Sequence, residues 1–136
     1  MRLWHQKLMG KLPRQQLLGL HREICGMRGK GWGQNHSTVN YVWNYTPGRL
    51  VSYHYLVLKE MKKRGYNPDD KWWEPDWRGK NIGYDRNFTE KAVTDDFNID
   101  IEGNIYPEHD DQYLNECIVN LRDKGVICRF VEEVER

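Results

Sequence analysis

PRQQLLGLHREICGMRGKGWG, residues 13–33, is the stretch that decides the fold of this chain. Pro13 suits the first turn of a helix, and the apolar residues after it recur every three or four positions, so we predict a helix over residues 13–27. One side of that helix suits a core and collects Leu17, Leu18, Leu20, His21, Ile24 and Cys25. The other side is polar and collects Gln15, Gln16, Gly19, Arg22, Glu23 and Gly26. This polar side is either an ordinary solvated face or a docking face for nucleic acid, where the glycines let another backbone come close.

Charge is distributed very unevenly along the 136 residues. Residues 1–66 carry twelve Lys or Arg and two acids, a net charge of +10, whereas residues 67–136 carry nine against eighteen, a net charge of −9. Glu23 is the only carboxylate in the first 59 residues. A strongly basic surface attracts polyanions, and a single acid inside it is typical of a residue that handles a proton or stabilises a positive intermediate. We therefore predict that Glu23 is catalytic.

Three more helices are expected further along the chain. A short one is predicted near residues 37–45, a longer one from Pro47 to about Arg64, and a last one from Pro107 to about Lys124. The chain between the last two has no sustained period, which is typical of a functional or irregular segment. The tail from residue 126 is compatible with either a strand or more helix.

Several side chains in these elements have competing interpretations. His54 lies on the apolar stripe of the long helix, so we interpret it as a buried core residue rather than a ligand. Trp72, Trp73 and Trp77 either stack on bases or plug the edge of a small core, and we expect the second. The acidic second half either covers part of the basic face or binds a partner.

The loop at residues 28–36, RGKGWGQNH, is basic and rich in glycine. Arg28 and Lys30 are predicted to meet phosphates, and the glycines expose backbone N–H donors. The loop lacks the GxxxxGK[ST] pattern of a nucleotide-binding P-loop. It therefore predicts nucleic-acid contact rather than a nucleotide site.

The composition argues against several classes of protein. No apolar run approaches 18 residues and no signal peptide is evident, so we expect a cytoplasmic protein without a membrane segment. The three cysteines, Cys25, Cys117 and Cys128, lack CxxC spacing, which argues against a disulfide framework and a zinc site. A metal-dependent hydrolase would have to use Glu23 and the histidines, but no HExxH or similar spacing occurs. We therefore expect neither a metal nor a cofactor.

The run RQQLLGLHRE at residues 14–23 resembles the pyrimidine-dimer DNA glycosylase / AP lyase family, the endonuclease V type known from bacteriophage. In that family a short N-terminal segment precedes a helix with a Gln, a Leu and an Arg-Glu pair, which here correspond to Gln15, Leu17, Arg22 and Glu23. EMKKRGYN at residues 60–67 is similar to the end of the family's long helix, and a weaker likeness begins at Pro107. MRLWH and RGKGWG are similar to the bacterial branch. The strong likeness covers about residues 1–67.

The resemblance implies an all-α fold: one compact domain over residues 1–136 of about four helices, with an irregular insertion at 71–104. It also implies a DNA glycosylase with abasic-site lyase activity on damaged double-stranded DNA in the bacterial nucleoid, with pyrimidine dimers as the lesion. The family's nucleophile is the N-terminal α-amine and its acid–base residue is the glutamate of the Arg-Glu pair. Carried over, Met1 and Glu23 are catalytic. The implied DNA-binding residues are Arg2, Gln15 and Arg22, with Arg28 and Lys30 added from the basic loop.

An N-terminal amine suits imine chemistry because the nucleophile must be neutral. With an ordinary pKa of about 7.7–8.0, roughly a tenth to a fifth of an α-amine is neutral at pH 7, against about 0.04% of a lysine. The amine would attack C1′ of the sugar and displace the base. Glu23 would stabilise the cationic sugar and help remove the C2′ proton, so that β-elimination cuts the strand.

The sequence departs from the phage members at both ends. Because Arg2 is large, the preceding methionine should be retained, so Met1 itself has to be the nucleophile. The aromatic- and lysine-rich C-terminal motif is replaced by the acidic VEEVER. The lyase site is thus better supported than the dimer substrate. The alternative is a nucleic-acid-binding protein without catalysis, and Glu23 argues against it because a pure binder gains nothing from an acid in its basic face.

Overall fold

The computed structural model describes residues 2–34, 39–86, 88 and 105–126. Three α-helices lie in these ranges: α1 (Arg14–Arg28), α2 (Pro47–Lys63) and α3 (Asp111–Asp123). Short 3-10 helices lie at Gln6–Lys11, Asn40–Asn44 and Asp70–Trp73. The described residues contain no β-strand, and their one isolated β-bridge joins Trp77 and Tyr84. The prediction of an all-α fold is confirmed. Within the same ranges, no helix combines the length and the hydropathy that a bilayer span requires.

Helix α1 has the bounds and the faces that its sequence predicts. It begins directly after Pro13 and ends at Arg28, and the N–H of the next residue, Gly29, donates to the carbonyls of Cys25 and Gly26 at 3.1 Å each. Leu17 and Ile24 are fully buried on its apolar side. That side packs against α2, so the polar side of α1 stays at the surface of the fold.

Helix α2 is the central element of the core. Pro47 occupies its first turn, and Gly65 follows its end with φ +86°, a conformation that favours glycine. The predicted span is confirmed, and so is the interpretation of His54, which is fully buried. The core around α2 joins all three helices and the N-terminal segment: Leu3, Leu8, Leu17, Leu20, Ile24, Leu50, Val57, Tyr106, Ile118 and Leu121.

Two predicted helices begin later than expected. Helix α3 starts at Asp111 instead of Pro107, because the side chain of Asp110 accepts the N–H of Tyr113 at 2.8 Å and so caps the helix there. The helix predicted near 37–45 is a 3-10 turn at Asn40–Asn44, and residues 35–38 lie outside the described residues.

Most of the described part of the predicted irregular insertion is irregular, as expected, but Phe88 is helical. After the turn at Asp70–Trp73, residues 74–86 form turns and the isolated bridge. Of the tryptophans of this segment, Trp77 is buried, as the plugging interpretation predicts. Trp73 and Trp72 are half-buried: Trp73 stacks on Tyr55, whereas Trp72 lies against His54 and also borders the cavity at the end of α1. The rest of the predicted insertion, residues 89–104, and the tail 127–136 lie outside the described residues.

Candidate active site

A cavity of about 380 Å³ opens between the N-terminal segment, the polar face of α1 and the end of α3. Its lining residues are Arg2, Trp4, Gln15, Gln16, Gly19, Leu20, Glu23, Asn120 and Lys124. Three of the predicted site residues, Arg2, Gln15 and Glu23, therefore lie together in it. Met1 lies outside the described residues. The cavity holds two cationic side chains beside one carboxylate, which suits a negatively charged substrate.

Two tyrosines hold the N-terminal segment at this cavity. The hydroxyl of Tyr113, from α3, donates to the carbonyl of Leu3 at 2.6 Å, and the hydroxyl of Tyr53, from α2, donates to the carbonyl of Trp4. Full burial raises the pKa of Tyr53 well above its ordinary value, so this hydroxyl keeps the proton that it donates. The guanidinium of Arg2 also lies 5.6 Å from the ring centre of Tyr113. The path of the chain beside Glu23 is thus set by α2 and α3.

Glu23 lies where this first cavity meets a second one. It is half-buried on the polar face of α1 and lines both cavities. Gly19, four residues before it, lines the first cavity, and Gly26, three residues after it, lines the second. Neither glycine has a side chain, so a large ligand can approach the backbone of α1 closely at these two positions.

The second cavity, about 490 Å³, lies between the end of α1 and the irregular segment. Arg22 and Lys30, two predicted DNA-binding residues, line it and are exposed. Residues 78–82 form its other wall and contribute Lys80. Among the described side chains that line it, Glu23 is the only acid, so this part of the cavity is strongly basic.

The side chain of Arg28 does not face solvent, as the predicted phosphate contact would require. Its side chain is fully buried, and its guanidinium donates to Nδ1 of His54 and to the carbonyls of Trp72, Glu74 and Trp77 at 2.8–3.1 Å. Burial lowers the pKa of Arg28 to about 10, so the group remains charged at neutral pH. Arg28 organises the irregular segment instead of facing solvent.

His21, Cys25 and His54 form the only group in the described ranges whose ligand atoms could hold a metal ion, all within 4.8 Å of one another. Because a guanidinium only donates, Nδ1 of His54 accepts from Arg28 at 2.9 Å, and Nε2 of His54 carries the ring proton. That proton is donated to Nδ1 of His21 at 2.9 Å. A metal on Nε2 of His54 would leave the ring proton on Nδ1, facing the guanidinium. The hydrogen bonds therefore fit a structural role better than a metal centre.

Several residues that line the two cavities are not among the site residues predicted from the sequence. Gln16 lies on the polar face that the periodicity identified, and it could have been named beside Gln15. Asn120 and Lys124 come from α3 and the residue that follows it, and Lys80 comes from the irregular segment. No local pattern in the sequence indicates that these three residues lie near Glu23, because the packing of distant elements brings them there.

Comparison with known proteins agrees with this geometry. The family model described as pyrimidine dimer DNA glycosylase matches residues 1–74, which include Arg2, Glu23 and the whole of α1 and α2. Neither a curated protein nor a solved structure matches the chain significantly. The family match covers more than half of the sequence, and the cavity brings Arg2 and Glu23 into one site. The chain therefore belongs to the pyrimidine dimer DNA glycosylase family, a family of DNA repair enzymes.

Proposed function

We propose that this enzyme is a DNA glycosylase and abasic-site lyase that uses the N-terminal amine of Met1 as its nucleophile and Glu23 as its acid–base residue. The observation that carries the proposal is the cavity shared by Arg2, the second residue of the chain, and Glu23. Met1, which carries the proposed nucleophile, directly precedes Arg2 in the sequence. The proposed substrate is damaged double-stranded DNA, with a pyrimidine dimer as the lesion that the family name supports.

The proposed reaction has two stages. In the first, the neutral amine forms a bond to C1′ of the damaged nucleotide, the bond from C1′ to the base breaks, and the base leaves with the electron pair. Loss of the amine proton and opening of the sugar ring give an imine. In the second, Glu23 accepts the C2′ proton, the C3′–O bond breaks, and the 3′ phosphate leaves with its electron pair. Hydrolysis of the imine then releases the enzyme.

The side chains around Glu23 support each stage. Arg2 and Lys124 line the first cavity and suit the phosphates that flank the sugar. The amide side chains of Gln15, Gln16 and Asn120 offer both donors and acceptors to a sugar or a base. The proposed roles are therefore binding for the cations and amides, and proton transfer for the one carboxylate.

Borohydride trapping tests the nucleophile directly. The protein is incubated with a duplex that contains one abasic site, sodium borohydride reduces any imine, and mass spectrometry maps the attachment point. We expect a covalent adduct on the α-amine of Met1. Lys124 is the matched competitor because its amine lines the same cavity, so Lys124→Gln should leave the adduct in place.

Two outcomes would contradict the proposal. An adduct on Lys124 would assign the imine to a side chain. The absence of any adduct, with binding of the duplex intact, would favour a nucleic-acid-binding protein without catalysis. Strand cleavage on a dimer-containing duplex, compared with an undamaged one, tests the lesion separately.

A further inference from the structure

We propose that two Arg-Gly-Lys segments, residues 28–30 and 78–80, form a single binding site for the phosphates of a DNA strand next to Glu23. We call them the paired RGK segments. The inference rests on the proposed function, since it requires DNA as the polyanion. The second segment lies beyond residues 1–74, the part of the chain that the family model matches. It is therefore an addition to the site that the match does not describe.

In the paired RGK segments, the arginine side chain of each segment reaches across to the backbone at or beside the other segment. Arg28 donates to the carbonyl of Trp77 at 3.1 Å, immediately before the second segment. Arg78 donates from Nε to the carbonyl of Arg28 at 2.8 Å and from Nη2 to the carbonyl of Gly29 at 3.0 Å. Each arginine thus holds the backbone at or beside the other segment through charge-assisted hydrogen bonds, which are about twice as strong as neutral ones.

The glycines of the paired RGK segments permit this close approach. A Cβ on Gly29 would lie 3.0 Å from the carbonyl oxygen of Arg78, which is tighter than side chains normally tolerate. Gly79 has φ +95°, a backbone conformation that L-residues with a side chain rarely adopt. The sequence Arg-Gly-Lys is therefore required for a structural reason at its first two positions in both segments, and only the lysines are left for a ligand.

The lysines of the paired RGK segments converge on the second cavity. Lys30 and Lys80 are both exposed and both line it, together with the exposed Arg22. The remaining cation, Arg78, is already neutralised by Asp85 at 3.0 Å. Three cationic side chains thus face one space in which Glu23 is the one acid among the described lining residues. The backbone that carries the two lysines is held by the hydrogen bonds of Arg28 and Arg78.

The position of the cavity indicates which part of the DNA it would bind. Because Glu23 lines both cavities, a strand whose sugar faces Glu23 in the first cavity continues past the second. Lysine ammonium groups bind phosphates as point charges without reading the base. The proposed role of Lys30 and Lys80 is thus to position the backbone beside the lesion and not to select the lesion.

The salt dependence of binding tests this site. Fluorescence anisotropy with an undamaged 20-base-pair duplex gives the slope of log K against log salt concentration, and each phosphate that the protein neutralises adds about 0.9 to the magnitude of that slope. The double variant Lys30→Gln/Lys80→Gln should therefore have a slope about 1.8 smaller in magnitude than the natural protein. The matched control is Lys59→Gln/Lys63→Gln, which removes the same charge from exposed positions of α2.

The inference is overturned if the two double variants change the slope equally, or if the Lys30/Lys80 variant leaves it unchanged. Replacement of the same two lysines by arginine should restore the slope, which separates a charge effect from a folding defect. Borohydride trapping of the natural protein distinguishes the two proposals. An adduct with no specific slope change would refute the paired site alone, and a specific slope change without an adduct would refute the lyase function alone. If the natural protein fails to bind DNA, both proposals are wrong.

Discussion

The two cavities that meet at Glu23 are built in different ways. The first is lined mainly by side chains from three separate elements, and the backbone of its N-terminal wall is held by buried tyrosine hydroxyls. The second lies between the end of α1 and the irregular segment, and arginine side chains hold the backbones of its two walls together. In the proposed function the first cavity supplies the chemistry and the second binds phosphates by charge. Variants in each cavity should therefore change different observables.

The largest effect is expected from Glu23→Gln. Removal of a positioned acid–base group costs about 10²- to 10⁴-fold in rate, so single-turnover cleavage of an abasic duplex should fall by that factor. Binding of the duplex should be retained, because the amide keeps the size and the polarity of the carboxyl group. Glu116→Gln, at an exposed position of α3, is the control and should cleave normally. Equal rates for the two variants would remove Glu23 from the mechanism.

Arg28→Ala should be the most destabilising change at the second cavity. It leaves three carbonyls and Nδ1 of His54 without their donor, and each of these acceptors that stays buried and unsatisfied costs about 1–3 kcal/mol. Arg22→Ala, at an exposed position six residues earlier, should change the free energy of unfolding by less than about 0.5 kcal/mol and weaken DNA binding instead. Urea unfolding and anisotropy measure the two quantities. Similar unfolding free energies for the two variants would show that the burial of Arg28 adds no stability.

Stability should fall in mild acid because of buried histidines. Burial, reinforced by the neighbouring His5, lowers the pKa of His109 to about 3, and burial with the charge of Arg28 lowers that of His54 well below its ordinary value. In the unfolded chain both rings take up a proton near pH 6.5, so below that pH the unfolded state binds more protons. As far as these histidines contribute, the free energy of unfolding should therefore have its maximum value above pH 6.5. Below that pH it should decline by about 1.4 kcal/mol per pH unit for each such histidine.

Urea unfolding at intervals between pH 7.5 and 5.0 measures this slope, and imidazole proton resonances in the folded protein should show both rings neutral throughout. A free energy of unfolding that stayed constant over this range would contradict the buried, neutral state of these histidines.

The smallest effects are expected at the two glycines beside Glu23. A Cβ on Gly26 would meet nothing within 4 Å, and one on Gly19 would lie 3.9 Å from the guanidinium of Arg22. Because alanine is favoured over glycine inside a helix by about 0.8–1.0 kcal/mol, each Gly→Ala variant should be slightly more stable in urea. If DNA docks on this face, each should also bind the duplex more weakly. Stabilisation without any decrease in affinity would instead identify the polar side of α1 as a solvated face.

Local sequence patterns predicted the elements whose folding is decided within a few residues. The spacing of Leu17, Leu20 and Ile24 is sufficient to place α1, and the prolines and glycines at its ends and at those of α2 predict their bounds. The start of α3 was misplaced because proline and aspartate offer competing signals, and the side-chain cap of Asp110 determined the outcome. The isolated acid, Glu23, was also recognisable, since charge is a property of the residue itself.

The burial of Arg28 and the exposure of Lys30 show what only the tertiary structure decided. Both are basic residues in one glycine-rich run of sequence, and nothing in that run distinguishes a buried arginine from an exposed lysine. Arg28 is buried because carbonyls that lie 44 to 49 residues further along fold around its guanidinium. The same packing brings Lys80 to the cavity of Lys30, while the end of α3 brings Lys124 to that of Glu23. The sequence by itself thus determined the helices, because these depend on neighbours along the chain. It also determined their charge, because charge is a property of each residue. Which residues line the two cavities together depends on packing between distant segments, so it was decided by the tertiary structure alone.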